Sequence, residues 1–167
     1  VIAPAAVAAA VQEQGIAIAT ELVTALDYVG VMGIEFFLTA DDQVLINEVA
    51  PRTHNSGHYT LDACRTSQFE QQLRAVTGHA LGSVDMTCTQ AVMVNLLGYE
   101  TASTINNPEY TRKLADLSAI PDAHLYWYGK AESRPGRKLG HVTVLSDRPA
   151  AAVICGVEDR WYPASAV

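Results

Sequence analysis

The sequence predicts an α+β fold with a largely antiparallel sheet, and three observations carry that reading. A long helical periodicity opens the chain, a strand-loop-strand pattern follows it, and further short strands alternate with helices to the end. No internal repeat, low-complexity linker or coiled-coil heptad interrupts the order, and 167 residues suffice for a real core.

The opening helix is read from Val7, Val11, Ile18, Leu22, Leu26 and Val29, which recur at helical spacing through Gly15 until Gly30 ends it. Pro4 suits the first turn of such a helix. The stripe is expected to pack on the next element, a β-hairpin formed by the apolar runs Gly33 to Thr39 and Val44 to Val49 around Asp41-Asp42. A turn centred between Asp41 and Asp42 pairs Glu35 with Glu48 on one face. Beyond the hairpin the pattern predicts a helix over 67–76, a strand over 90–97 and a helix over 108–117. Strands over 124–128 and 141–145, joined by a basic loop, complete it. The stretch from Gly78 to Met86 is the seam, giving a division into 1–82 and 83–167.

Opposed carboxylates repel, and a magnesium ion is the natural compensation, because it takes carboxylate oxygens and is completed by water and phosphates. Two solvated glutamates satisfy the same pattern, and a one-residue slip would part them. The continuation weighs on this choice. Pro51 ends the strand, and Arg52, His54, Asn55, Ser56 and His58 crowd seven positions with hydrogen-bonding groups around Gly57. An Arg fork suits an oxyanion, so the hairpin places a dication site beside an oxyanion receptor. Taken singly, these are also ordinary turn residues.

Three blocks in order carry a resemblance that runs from about Val7 to Leu145. They are Asn47-Glu48-Val49-Ala50-Pro51-Arg52-Thr53-His54-Asn55-Ser56-Gly57-His58-Tyr59-Thr60, Thr66-Ser67-Gln68-Phe69-Glu70-Gln71, and His124 to Lys130 continued by Arg134 to His141. The chain resembles the N5-carboxyaminoimidazole ribonucleotide synthases, ATP-grasp enzymes of purine biosynthesis. Thr53 stands where a Pro or Val is expected, and the segment from Ala150 on matches only loosely.

The resemblance implies the C-terminal part of an ATP-grasp fold, with residues 1–82 in the catalytic domain and 83–167 in a small β-rich subdomain. It implies ATP and Mg2+ as cofactors, with Glu35 and Glu48 as metal ligands and Asn47 and Glu48 beside the nucleotide. Arg52 and His54 take the catalytic positions around bicarbonate and carboxyphosphate. Asn55, Lys130 and Arg137 take the substrate positions, the last two around the phosphate of aminoimidazole ribonucleotide. It implies a homodimer, and a longer enzyme whose N-terminal parts complete the nucleotide clamp, so that this chain alone is expected to lack useful turnover. Another ATP-grasp ligase and a non-catalytic dimerisation module remain the alternative readings.

Composition bounds the rest. Lys130, Arg134, Arg137 and Lys138 form a basic cluster in a chain of formal charge −7, an overall balance that argues against a nucleic-acid polymer as partner. No apolar run of about 18 residues predicts a membrane span. Cys64, Cys88 and Cys155 lack metal spacing, suit a reducing cytoplasm, and are expected as small buried hydrophobes.

Overall fold

A computed structural model describes residues 1–163 of the chain. It divides into two compact units, one formed by Ala5–Thr87 and the other by Val1–Pro4 together with the chain from Cys88 onward.

The second of these units begins with strand β1 (Ile2–Ala3), and Pro4 follows that strand rather than starting a helix. Helix α1 (Ala9–Ala25) therefore begins two residues after Val7 and stops well before Gly30. Its exit runs through Asp27 and Gly30 at positive φ, which explains the early stop: apolar spacing alone does not register a backbone turning out of the helix. Gly15 faces the hairpin, where an added Cβ would lie 3.8 Å from the Phe36 ring, an ordinary contact.

Strands β2 (Gly33–Leu38) and β3 (Val44–Ala50) form the expected antiparallel hairpin. The turn differs from the expectation. Leu38 pairs with Val44, Phe37 with Leu45 and Phe36 with Ile46, so the loop is centred on Asp41, whose neighbour Asp42 adopts φ 59°. The register then shifts after Phe36, and Glu35 pairs with Glu48, Ile34 with Val49 and Gly33 with Ala50. Asn47 is the extra residue, a β-bulge.

After a 3-10 turn over Asn55–Gly57 come helices α2 (Thr60–Ala63) and α3 (Gln68–Val76). Ser67 caps α3 by accepting the Glu70 backbone N–H at 3.2 Å, and Glu70 pairs with Arg74 one turn on at 2.7 Å. The predicted boundary at 67 is this cap.

The other unit is a four-stranded antiparallel sheet in the order β1-β4-β8-β6, with β4 at Ala91–Leu97, β6 at Ala123–Trp127 and β8 at Lys138–Leu145. Its alternation decides the core. Val92 and Leu96 of β4 and Val142 and Val144 of β8 meet helix α4 (Pro108–Ser118) and helix α5 (Ala150–Trp161) in one apolar cluster. Tyr110, Leu117, Val153, Val157 and Trp161 are the helical contribution, and Trp127 packs against them. The same strands alternate Met93, Asn95, His141 and Thr143 to the opposite face, with Tyr126 stacked on His141 at 4.7 Å. The basic loop is not wholly irregular, for β7 (Glu132–Ser133) pairs with β5 (Ala102–Ser103). The cysteines depart from expectation: Cys155 is exposed and Cys64 and Cys88 are half-buried, all three as free thiols.

Lys113 is the charged member of this interior, its side chain 4% exposed. Its ammonium donates to the Tyr99 hydroxyl at 2.5 Å and the Trp161 carbonyl at 2.7 Å, and lies 3.0 Å from Glu109 Oε1. A buried ammonium is tolerable because each of its donors is taken.

Candidate active site

The Glu35 and Glu48 side chains leave the hairpin on one face, as antiparallel partners must. Asn47 joins them because the bulge breaks the alternation of β3. Its amide Nδ2 donates to Glu35 Oε2 at 3.4 Å, although it is the immediate chain neighbour of Glu48. Phe37 and Leu45, paired on the same face and both more than half exposed, extend the acidic patch with apolar surface.

His54 reaches the pair from the loop. Single ligand atoms of Glu35, Glu48 and His54 lie within 4.8 Å of one another. His54 Nε2 is 3.8 Å from Glu35 Oε1, while Nδ1 accepts the Ser56 backbone N–H at 3.4 Å and lies 2.8 Å from Ser56 Oγ. An Nδ1 that accepts leaves the neutral ring's hydrogen on Nε2, the nitrogen on the Glu35 side. His54 is thus a close neighbour of the carboxylate pair, with Nε2 beyond hydrogen-bond reach of Glu35. Two opposed carboxylates fit magnesium, which prefers oxygen donors and uses one or two carboxylates beside phosphates.

Close packing fixes where His54 sits. A Cβ on Gly33 would come within 2.6 Å of His54 Cβ, so the strand beneath the histidine must be bare backbone. Arg52 is exposed and its Nη1 donates to the Thr53 carbonyl at 2.9 Å. Asn55 opens the 3-10 turn behind His54. The Ala5–Thr87 unit thus brings Glu35, Asn47, Glu48 and His54 together, with Arg52 and Asn55 on the loop that bears His54.

Lys130 and Arg137 belong to the other unit. The Lys130 ammonium donates to the Lys138 carbonyl and lies 5.6 Å from the Tyr128 ring centre. Arg137 Nη1 donates to the Glu132 carbonyl at 3.2 Å. The turn between them is folded against Gly98, whose carbonyl accepts the Gly136 N–H and whose N–H donates to the Arg137 carbonyl. A Cβ on Gly98 would meet the Arg134 carbonyl at 2.3 Å, so only glycine allows that approach. Arg134 pairs with Glu132 at 3.4 Å.

The sequence reading misses one contributor, Gln68. Ser56 counts there among the loop's hydrogen-bonding groups, whereas Gln68 falls inside the helix predicted over 67–76. The spacing Ser67-Gln68-Phe69-Glu70 marks a cap but says nothing of where the glutamine side chain goes.

Comparison with known proteins bears on both halves. The family model of the ATP-grasp domain matches residues 1–69, and that of the phosphoribosylaminoimidazole carboxylase C-terminal domain matches residues 91–153. The N5-carboxyaminoimidazole ribonucleotide synthase of Synechocystis is 48% identical over 98% of this chain and 45% of its own length. The crystal structure of the synthetase from Thermotoga maritima superposes with a TM-score of 0.80 at 44% identity, covering 95% of this chain and 43% of that one. The synthase from Aspergillus clavatus, solved with ADP and 5-aminoimidazole ribonucleotide, gives a TM-score of 0.78 at 32% identity over 95% of this chain and 40% of that one. The chain spans less than half the length of these relatives.

Proposed function

Because this chain belongs to the ATP-grasp family of N5-carboxyaminoimidazole ribonucleotide synthases, we propose that it serves the ATP-dependent carboxylation of 5-aminoimidazole ribonucleotide by bicarbonate. The observation that carries the reading is the opposed pair Glu35 and Glu48, with His54 against it and Arg52 and Asn55 on the same loop. The ligands named for the Aspergillus structure, ADP and aminoimidazole ribonucleotide, supply the substrate class.

The chemistry suits these residue types. Bicarbonate is a poor electrophile until an oxygen of it attacks the γ-phosphorus of ATP, giving carboxyphosphate and ADP. That transfer depends on positioning and on neutralising charge. Magnesium, when held by Glu35 and Glu48, supplies positive charge to the phosphates. Asn47 lies beside these ligands, where it contacts nucleotide. Arg52 is the donor to charge that develops on the carboxyphosphate, and His54 presents its Nε2–H at the edge of the acidic pair. The exocyclic amine of the imidazole then forms the C–N bond to the carboxyl carbon, phosphate leaves, and the amine loses a proton.

On this reading residues 1–82 carry the nucleotide and metal chemistry, and residues 83–167 contribute the basic groups Lys130 and Arg137 for the substrate's phosphate. Asn55 completes the substrate contacts. The working enzyme is a cytoplasmic homodimer with small-molecule substrates and no nucleic-acid polymer. No helix among the described residues is long and apolar enough to cross a membrane.

The test is ADP release by a full-length protein carrying this sequence, given Mg-ATP and bicarbonate with and without aminoimidazole ribonucleotide. Release that depends on that nucleotide supports the reading. Release indifferent to it, but triggered by another amine or acid, replaces the substrate. No release under any of these conditions removes the reaction.

A further inference from the structure

The loop bearing His54 and His58 is held by one side-chain amide, that of Gln68, which is only 8% exposed. Gln68 Oε1 accepts the His54 backbone N–H at 2.9 Å, and Gln68 Nε2 donates to the His54 carbonyl at 2.8 Å. A side-chain amide thus grips one residue's backbone at two points. That grip also fixes its orientation, since the oxygen must face the N–H and the amino group the carbonyl. The second hydrogen of Nε2 meets His58 Nδ1 at 2.8 Å.

From this geometry we propose that Gln68 is a positioning residue, which seats His54 against Glu35 and holds His58 as the Nε2–H tautomer. With the amide oriented by His54, its remaining hydrogen requires a lone pair on His58 Nδ1, so the neutral ring carries its own hydrogen on Nε2. The glutamine is anchored at its other end as well. Its backbone N–H donates to Thr60 Oγ1 at 2.9 Å, and that hydroxyl donates to the Gly57 carbonyl at 2.6 Å. Space for the amide exists because residue 57 is glycine, where a Cβ would stand 2.7 Å from Gln68 Oε1. Phe69, the next residue, stacks on the His58 ring at 5.6 Å and 22°. Together they hold the ring in plane with one nitrogen committed. Buried groups that orient the side chains around a metal site set its activity without touching a reactant.

The consequence for turnover rests on the proposed reaction, whereas the tautomer does not. Two measurements separate them. In this chain labelled with 15N-histidine, long-range 1H–15N spectra are expected to show His58 protonated on Nε2 and bare on Nδ1. A hydrogen on Nδ1 overturns the proposal. Gln68→Glu replaces the donor by an acceptor and is expected to invert the tautomer, and an unchanged His58 spectrum in that variant also overturns it. Gln68→Met preserves volume but removes all three bonds. In the full-length protein it is expected to lower kcat about 10- to 100-fold while the affinity for Mg-ADP holds. Equal loss of kcat and of Mg-ADP affinity, with a lowered Tm, would mean a merely structural role and would overturn the positioning claim. If the wild-type protein shows no dependence on aminoimidazole ribonucleotide, the reaction is wrong, and the two spectra on the chain itself still decide the role of Gln68.

Discussion

Glu35 stands opposite Glu48 because Asn47 is squeezed out of the ladder between Ile46 and Glu48. Without that bulge, a loop centred on Asp41 would set Asn47 against Glu35 and turn Glu48 to the other face. The extra residue therefore does two things. It restores the carboxylate pair, and it adds an amide to the same face, 3.4 Å from Glu35 Oε2.

Removing either charge separates metal binding from folding. Glu35→Gln and Glu48→Gln keep shape and relieve the repulsion between the pair, so neither is expected to lower Tm. Each is expected to weaken magnesium-dependent nucleotide binding about 10- to 100-fold in the full-length protein. Titration of Mg-ATP by calorimetry checks this, and unchanged affinity in both variants removes the metal assignment.

The basic turn makes a different prediction. If Lys130 and Arg137 hold the substrate's phosphate, Lys130→Met and Arg137→Met each lose a charge-assisted hydrogen bond of about 1.5–3 kcal/mol. That corresponds to a rise of roughly 10- to 150-fold in KM for aminoimidazole ribonucleotide. The KM for ATP should hold. Steady-state kinetics with each substrate varied in turn measures the split, and a loss confined to ATP sinks the assignment.

Much of this was legible because the decisive signals are local. Glu35 and Glu48 are 13 residues apart on one hairpin, Ser67 caps the helix it precedes, and Asn107 caps α4 by accepting the Glu109 N–H at 3.0 Å. The pairing of the glutamates was read correctly from an incorrect turn centre, since the bulge cancelled the error. What escaped was non-local or weakly marked. Strand β1 is two residues long and finds its partner β4 some 90 positions away. Helix α5 has no side-chain cap and contains Gly156, so little in its sequence announces it. The grip of Gln68 on His54 spans 14 residues and exists only in the folded loop.

Two glycines are expected to tolerate no side chain. Gly33→Ala would place Cβ 2.6 Å from His54 Cβ, and Gly57→Ala would place it 2.7 Å from Gln68 Oε1. Overpacking of this kind costs about 1–3 kcal/mol. The two should differ in character. Gly33→Ala meets a backbone-proximal carbon and displaces His54 itself, whereas Gly57→Ala meets the end of a side chain and releases the amide. Urea denaturation gives the stability loss, and the His58 tautomer spectrum should change only with Gly57→Ala.

The Lys113 ammonium and then the Tyr99 hydroxyl, both hydrogen-bonded to Glu109, hold its carboxyl below the ordinary glutamate value of 4.5. A carboxyl depressed in the folded state binds fewer protons there than in the unfolded chain. The stability it contributes is therefore fully present above pH 4.5, and is lost as pH falls through the lower folded value. Because Glu109 is largely exposed, solvent screens the effect and its size is modest. Glu109→Gln abolishes the titration but retains an oxygen for Lys113. Wild type and variant should thus differ most near neutrality, with the wild type more stable, and should converge in acid. Tm recorded from pH 7 downward tests this. A constant gap down to the lowest pH at which both variants still fold would assign the role of Glu109 to packing instead of charge.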